Sequence, residues 1–347
     1  MTILTPLFGQ DRTRLAAMAG ETAITYGRLC DDIDSMAYWL LANGLEPGQL
    51  VTIHSRQLAN PDYWDWIMHL GAIRAGLTQS TGALPPSIVQ SGLVGPYAAA
   101  IGYLDALPGD AAPTLRLPFD PRGKEPLGQQ MPITRTGVAL EGLEAHAIRL
   151  MATSGTTGLP RIVRWDSGLF ERRLKQVREL RDIDADTRLL TALGLITTTG
   201  LRYPLAAWQK GGFVYLGSLA GRETDLRRIV YSANFIATSP FRMQGLLDAV
   251  PGPWAGKSER VIELFGGRVP PDMRDEILGR CCDTLNMSYG ATEVGRMAAG
   301  DTALIERHPG AAGMVEEGAT IEIVDRRGNP LPAGQEGIVR LKSDLMV

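Results

Sequence analysis

An α/β fold with mostly parallel strands is the class this chain predicts, and three observations predict it. Helix-period and strand-like segments alternate along residues 1–300, as in layered α/β architectures. Short apolar runs such as "GGFVYLG" and "RVIELFGG" lack polar alternation, which is how strands buried on both faces read. A length of 347 residues with 44% apolar content is enough to bury a sizeable core split into subdomains.

From Thr25, apolar residues at Leu29, Ile33, Met36, Ala37, Leu40 and Leu41 keep the helical period, and Gly44 stops it. A strand at 51–53 follows. "NPDYWDWIMHLGAIRAG" predicts a second helix with Asn60 as N-cap, Pro61 at the first helical position and Gly76 as terminator. Residues 105–135, with "LPGDAAP" and "DPRGKEP", read as a surface connection. The expected organisation is therefore an α/β core over 1–300, of two subdomains with a seam near 105–150. "DSGLFERRLKQVREL" sets Phe170, Leu174 and Val177 on one face of a basic helix. From about Gly310, "TIEIVDRRGNPLPAGQEGIVRLKSD" changes to period two with turn residues between, predicting antiparallel hairpins over 301–347.

Composition excludes several functions. A net charge of -3 with 21% charged residues gives no basic excess for nucleic acid or an anionic membrane. Cys30, Cys281 and Cys282 form neither a disulfide framework nor a zinc spacing. The start, "MTILTPLFGQDR", has no cationic segment followed by a long apolar one, and no run of about 18 apolar residues occurs. The expectation is a cytoplasmic protein without membrane insertion.

Two stretches carry chemistry. "LMATSGTTGLPRIVRW" packs four hydroxyl side chains and two glycines into Thr153–Gly158, between an apolar strand and the strand-like "RIVRW". Such loops surround phosphate oxygens with bare N–H groups and hydroxyls, although a ligand-free polar hairpin turn has the same appearance. A Walker-type loop is disfavoured, because Gly-Lys-Ser/Thr and an immediate helix are both lacking. "DTLNMSYGATEVG" then sets Tyr289, Thr292 and Glu293 near a strand's carboxyl end, where open α/β sheets bind ligands. The ring suits stacking on a purine and the carboxylate suits Mg²⁺. A core tyrosine and a first-turn glutamate opposite a helix dipole fit the same residues.

Together the two stretches resemble signatures of the adenylate-forming superfamily, which includes acyl-CoA synthetases, nonribosomal peptide adenylation domains and luciferases. "MATSGTTGLPRIV" is similar to its phosphate loop and "MSYGATE" to its adenine and magnesium signature, in the family's order and separation. "ITYGRLCDDIDSMAYWLLANGLEPGQLV" resembles the amino-terminal helix and strand. "ELFGGRVPPDM" resembles the segment lining acyl pocket and adenine, and "HPGAAGMV" with "GNPLPAGQEGIVRL" the entry to a β-barrel subdomain.

The resemblance implies ATP-dependent activation of a small carboxylic acid as its acyl-adenylate, followed by transfer to the thiol of coenzyme A or a carrier protein. It implies that Thr153, Ser154, Gly155, Thr156, Thr157 and Gly158 enfold the β- and γ-phosphates. Gly266, Gly267, Arg268, Ser288, Tyr289 and Gly290 would bind the nucleotide, with Tyr289 stacked on adenine. Thr292 would bond the α-phosphate and Glu293 would hold Mg²⁺. Ile196, Thr197, Gly200, Phe265 and Gly266 are the implied pocket candidates.

The chain departs from the family pattern in three places. Arg161 and Ile162 stand where lysine and glycine are usual, and an arginine fork differs in shape from an ammonium. Arg161 is the implied γ-phosphate cation, or else caps a solvated strand. Residues 189–217 contain no Asp or Glu to pair a substrate ammonium, so the expected acid lacks a free α-amino group. The chain also ends before the family's ribose-binding aspartate, hinge and small carboxyl-terminal domain with its catalytic lysine, so an impaired ligase is expected. A non-catalytic ATP, AMP or acyl-adenylate binding module is the rival reading.

Overall fold

Six strands, five of them parallel, form the first sheet of the amino-terminal unit, Met1–Leu219; a second unit runs from Ala220 to Val347. The computed structural model describes residues 3–55, 61–82, 84–92, 94–102, 113–117, 129, 138–153, 161–180, 182–217, 223–308 and 310–347. Much of the expected 105–150 seam, and Asn60, lie outside the described residues.

In the first unit the sheet order is Thr114–Arg116, Ala99–Gly102, Leu50–His54, Thr78–Thr81, Ile148–Thr153 and Arg161–Asp166. Only the last pair is antiparallel. A further set of strands, Arg188–Thr191, Phe213–Leu216 and Leu15–Ala19, runs parallel and ends in the antiparallel Thr22–Thr25. Val214 and Leu216 are buried while Phe213 and Tyr215 are half-buried, so this strand alternates where the sequence suggested burial on both faces.

The first long helix is Tyr26–Ala42, where the Thr25 hydroxyl caps by accepting the Arg28 N–H. Leu29, Ile33, Met36, Ala37 and Leu40 form its buried face, as the periodicity predicts. The second helix corrects the expected start: it begins at Tyr63, and Asp62 is the N-cap. The Asp62 carboxylate accepts the N–H groups of Trp64 and Asp65, and Asp65 accepts the Asp62 N–H in return. This reciprocal capping box satisfies donors that Pro61 leaves two positions too early. All of Tyr63–Arg74 is buried. Ser167–Leu180 forms the predicted basic helix and buries Phe170, Leu174 and Val177 together with Arg173, whose guanidinium lies 4.4 Å over the Trp165 ring.

In the second unit, Phe235–Thr238, Val261–Phe265 and Thr284–Ala291 are parallel neighbours. Gly295–Asp301 and Met314–Val315 continue the sheet antiparallel. Ala319–Val324 pairs with Ile338–Ser343 as the predicted hairpin. The expected start of a barrel goes no further than this two-stranded ribbon, and no closed barrel occurs among the described residues. No helix among them is long and apolar enough to cross a membrane.

Arg260 anchors the second unit just before its central strand. Its side chain is 1% exposed and donates to the carbonyls of Ala233, Cys281, Val230, Tyr231 and Ala255. One guanidinium thus satisfies carbonyls from several chain segments that burial would otherwise leave without donors. Burial lowers its pKa, and the carbonyls stand where a carboxylate partner is commonly found. Replacing Arg260 with Met orphans these acceptors and is expected to cost about 3 kcal/mol or more. A urea midpoint identical to that of the parent chain would contradict this.

Candidate functional site

Val261–Phe265 and Thr284–Ala291 lie side by side in parallel register, with Phe265 opposite Ser288. The first strand therefore releases Gly266, Gly267 and Arg268 at the level where the second presents Tyr289 and Gly290. Gly266 has a φ of 81°, a left-handed conformation that side chains disfavour, so glycine permits the chain to turn directly off the strand. Pro271 then opens the helix Pro271–Arg280.

The second strand bends back on itself. Thr292–Val294 turns it into Gly295–Asp301, and the register shifts between Tyr289 and Gly290. A Cβ at Gly290 would lie 2.1 Å from the Gly295 carbonyl oxygen, so only glycine fits this bulge. Tyr289 stands at the bulge, 37% exposed, which excludes the core reading of its ring.

These constraints open a cleft of ≈ 800 Å³. Gly266, Gly267, Arg268, Ser288, Tyr289 and Gly290 all line it, so six of the seven sequence-predicted nucleotide residues of this unit converge on one concavity, Thr292 being the exception. Arg274 of the adjoining helix adds a cation to its wall. Bare backbone at Gly266, Gly267 and Gly290, one ring and two guanidinium groups form a surface suited to a flat heterocycle bearing negative charge.

Beneath the cleft lies a charged cluster that the sequence reading missed. Glu263 is fully buried; it accepts the Ser288 hydroxyl at 2.6 Å and faces Arg296 at 3.6 Å. Arg296 also pairs with Glu316 at 3.0 Å. Its signal was a lone glutamate inside the apolar run "VIELF". Because Ser288 directly precedes Tyr289, this buried carboxylate fixes the strand that presents the ring.

Thr292 and Glu293 are half-buried in the hairpin turn and do not line the cleft. No helix follows Glu293, so the reading of it as a first-turn residue is corrected: a strand begins at Gly295. The turn is held by Val347, whose N–H donates to the Glu293 carbonyl, and by Ser343, whose hydroxyl donates to the Val294 carbonyl. Phe265, half-buried, ends its strand outside the cleft lining.

The first unit holds the other predicted residues. Thr153 and Arg161 face each other as the last and first residues of the antiparallel strands Ile148–Thr153 and Arg161–Asp166. The strand–loop–strand arrangement thus has both its flanks in place, and Arg161 is exposed. Ser154, Gly155, Thr156, Thr157 and Gly158 lie outside the described residues.

Ile196 is 50% exposed and available to a ligand. Thr197 and Gly200, the neighbouring pocket candidates, have structural duties at a helix start. The Thr197 hydroxyl donates to the Gly194 carbonyl and accepts the Gly200 N–H, capping the helix Thr198–Gln209. A Cβ at Gly200 would fall 2.3 Å from the Gly194 carbonyl oxygen.

Comparison with known proteins bears on the family and the fold. The family model described as "AMP-binding enzyme" matches residues 123–347. A salicylyl-CoA synthase/salicylate adenylyltransferase from Streptomyces sp. is 25% identical over 376 aligned positions; the match takes in 93% of this chain and 63% of that protein. Among solved structures, apo MatB from Rhodopseudomonas palustris superposes with a TM-score of 0.75 at 18% identity, covering 100% of this chain and 71% of that one. The amino-terminal subdomain of NpsA from Klebsiella oxytoca gives 0.73 at 16% identity, covering 99% and 87%. With both glycine-bearing strand ends opening on one cleft and the family model spanning most of the sequence, the chain belongs to the AMP-binding enzyme family of adenylate-forming proteins.

Proposed function

We propose that this chain binds ATP and activates a carboxylic acid as its acyl-adenylate, releasing pyrophosphate, with the acyl group passed on to a thiol of coenzyme A or a carrier protein. The observation that carries this reading is the convergence of Gly266–Arg268 with Ser288–Gly290 on one cleft, in a member of the AMP-binding family. Fold neighbours add support: MatB has been solved with ATP bound, a four-domain nonribosomal peptide synthetase with AMP and glycine, and NpsA with 3-hydroxybenzoyl-AMSN.

In this reading adenine lies on the Tyr289 ring, and the glycine backbone at 266–267 lets it approach closely. Thr292 then serves the α-phosphate, while the loop 153–158 and Arg161 serve the outer phosphates. Catalysis of this kind consists largely of positioning and charge neutralisation. Glu293 offers one hard carboxylate in a half-buried turn, the donor type Mg²⁺ takes when phosphate oxygens supply its remaining ligands. The ion, when bound, would neutralise charge on the phosphates. Three free, buried cysteines, with thiols that burial pushes up to about 12, are chemically quiet and support a reducing cytoplasmic setting. The acid is read as one without a free α-amino group, since no carboxylate lies within 189–217 to pair an ammonium.

Replacing Tyr289 with Ala removes the stacking face, worth roughly 1 to 3 kcal/mol by analogy with base–aromatic stacking. Calorimetry is expected to show AMP affinity reduced at least several-fold, and unchanged affinity would refute the adenine assignment. Exchange of labelled pyrophosphate into ATP tests the reaction itself. Exchange that depends on an added acid is expected; nucleotide binding without exchange, across aliphatic and aryl acids, would mark a binding module instead.

A further inference from the structure

A second polar centre lies buried in the amino-terminal unit. Thr78–Thr81 and Ile148–Thr153 are parallel neighbours with Gln79 opposite Arg149, so the two side chains share one face of the sheet. His69, from the helix Tyr63–Arg74, packs onto that face, with Nδ1 at 2.6 Å from the Gln79 side-chain oxygen. Trp165 is the antiparallel partner of Arg149 on its other side.

Arg149 is 2% exposed, yet no carboxylate pairs with it among the described residues. One nitrogen of its guanidinium donates to the Thr81 hydroxyl and to the Leu195 carbonyl. Among the described residues Nε and Nη1 have no hydrogen-bond partner, nor do His69 Nε2 and Trp165 Nε1 close by in the same layer. A buried cation without a counter-charge is expensive, and unsatisfied buried donors on this scale are rare in native folds. Burial pulls the guanidinium down only to about 10, so it remains charged at neutral pH. His69, held down to about 3 by burial and by Arg149, is neutral and adds no competing charge.

The position of the group indicates what it receives. Thr81 ends its strand and is half-buried, placing the Arg149 head near the carboxyl end of a parallel sheet, where open α/β sheets take ligands. Leu195 directly precedes the half-exposed Ile196, a candidate for the acid pocket. The orphaned N–H groups therefore lie beside the segment expected to surround the acid.

We infer that Arg149 is a specificity residue that receives a second carboxylate, at the far end of the acid, so that the chain's substrate is a dicarboxylic acid. The inference rests on the acyl-adenylate reading and sharpens it. A paired guanidinium and carboxylate, buried together and hydrogen-bonded, resolve the cost that each carries alone.

The test uses the 347-residue chain as it stands, with calorimetric binding of AMP and then of matched acids: glutarate and pentanoate, adipate and hexanoate, isophthalate and benzoate. In at least one pair the diacid is expected to bind about tenfold or more tighter than the monoacid, and Arg149→Met should abolish that preference by lowering diacid affinity more than monoacid affinity. Arg149→Lys should retain part of it. Equal binding within every pair in the parent chain overturns the inference whether or not the variants fold, and indicates that water satisfies the buried donors. A loss in Arg149→Met that is equal for diacid and monoacid also overturns it, since a purely structural arginine would act in that way. Failure of the parent chain to bind AMP would instead sink the adenylation reading, which keeps the two failures apart.

Discussion

The register between Val261–Phe265 and Thr284–Ala291 is the constraint on which the site depends. Because Phe265 lies opposite Ser288, the double glycine and the tyrosine emerge at one level and from adjacent strands. A shift of one residue would turn Tyr289 to the other face of the sheet and close the cleft. The register is held by an interaction across it: the buried Glu263 carboxylate takes the Ser288 hydroxyl from the neighbouring strand and faces Arg296 from the next. Breaking a buried network of this sort leaves a charge without compensation, which is why such groups specify one arrangement more than they add net stability.

Glycine does the remaining work at the cleft, for two different reasons. Gly266 supplies a left-handed backbone that turns the chain off its strand, and Gly290 supplies the lack of a side chain where the bulge meets the Gly295 carbonyl. The result is exposed backbone beside an exposed ring, at one end of a strand whose other end is anchored by the carbonyls that Arg260 ties together. Site and scaffold are thus linked through two buried charged groups of one segment, Arg260 just before the strand Val261–Phe265 and Glu263 within it.

Local features were legible in the sequence and pairings between distant residues were not. The helix Tyr26–Ala42 could be read because its burial follows a single period of apolar residues with a Thr cap. That Tyr289 and the double glycine share one cleft accords with the motif order, because their exposure and bare backbone follow from residue type. The start of the second helix was misread because Asn60 and Asp62 are both good caps, and only the reciprocal bond from Asp65 favours Asp62. The structural duties of Thr197 and Gly200 could not be read, since a capping hydroxyl and a packing glycine look the same as ligand-binding ones until the Gly194 carbonyl is placed beside them. Glu263 with Arg296, and Arg149 with His69 and Gln79, were invisible for one reason: each is defined by strand register, which no local pattern of residues encodes.

Amide hydrogen exchange with and without AMP tests most directly whether the cleft formed by this register is the nucleotide site. Bound AMP is expected to slow exchange in two separate segments together, Gly266–Arg268 and Ser288–Ala291, while the ribbon Ala319–Val324 with Ile338–Ser343 is unaffected. AMP binding that leaves both of those segments unprotected would contradict the account.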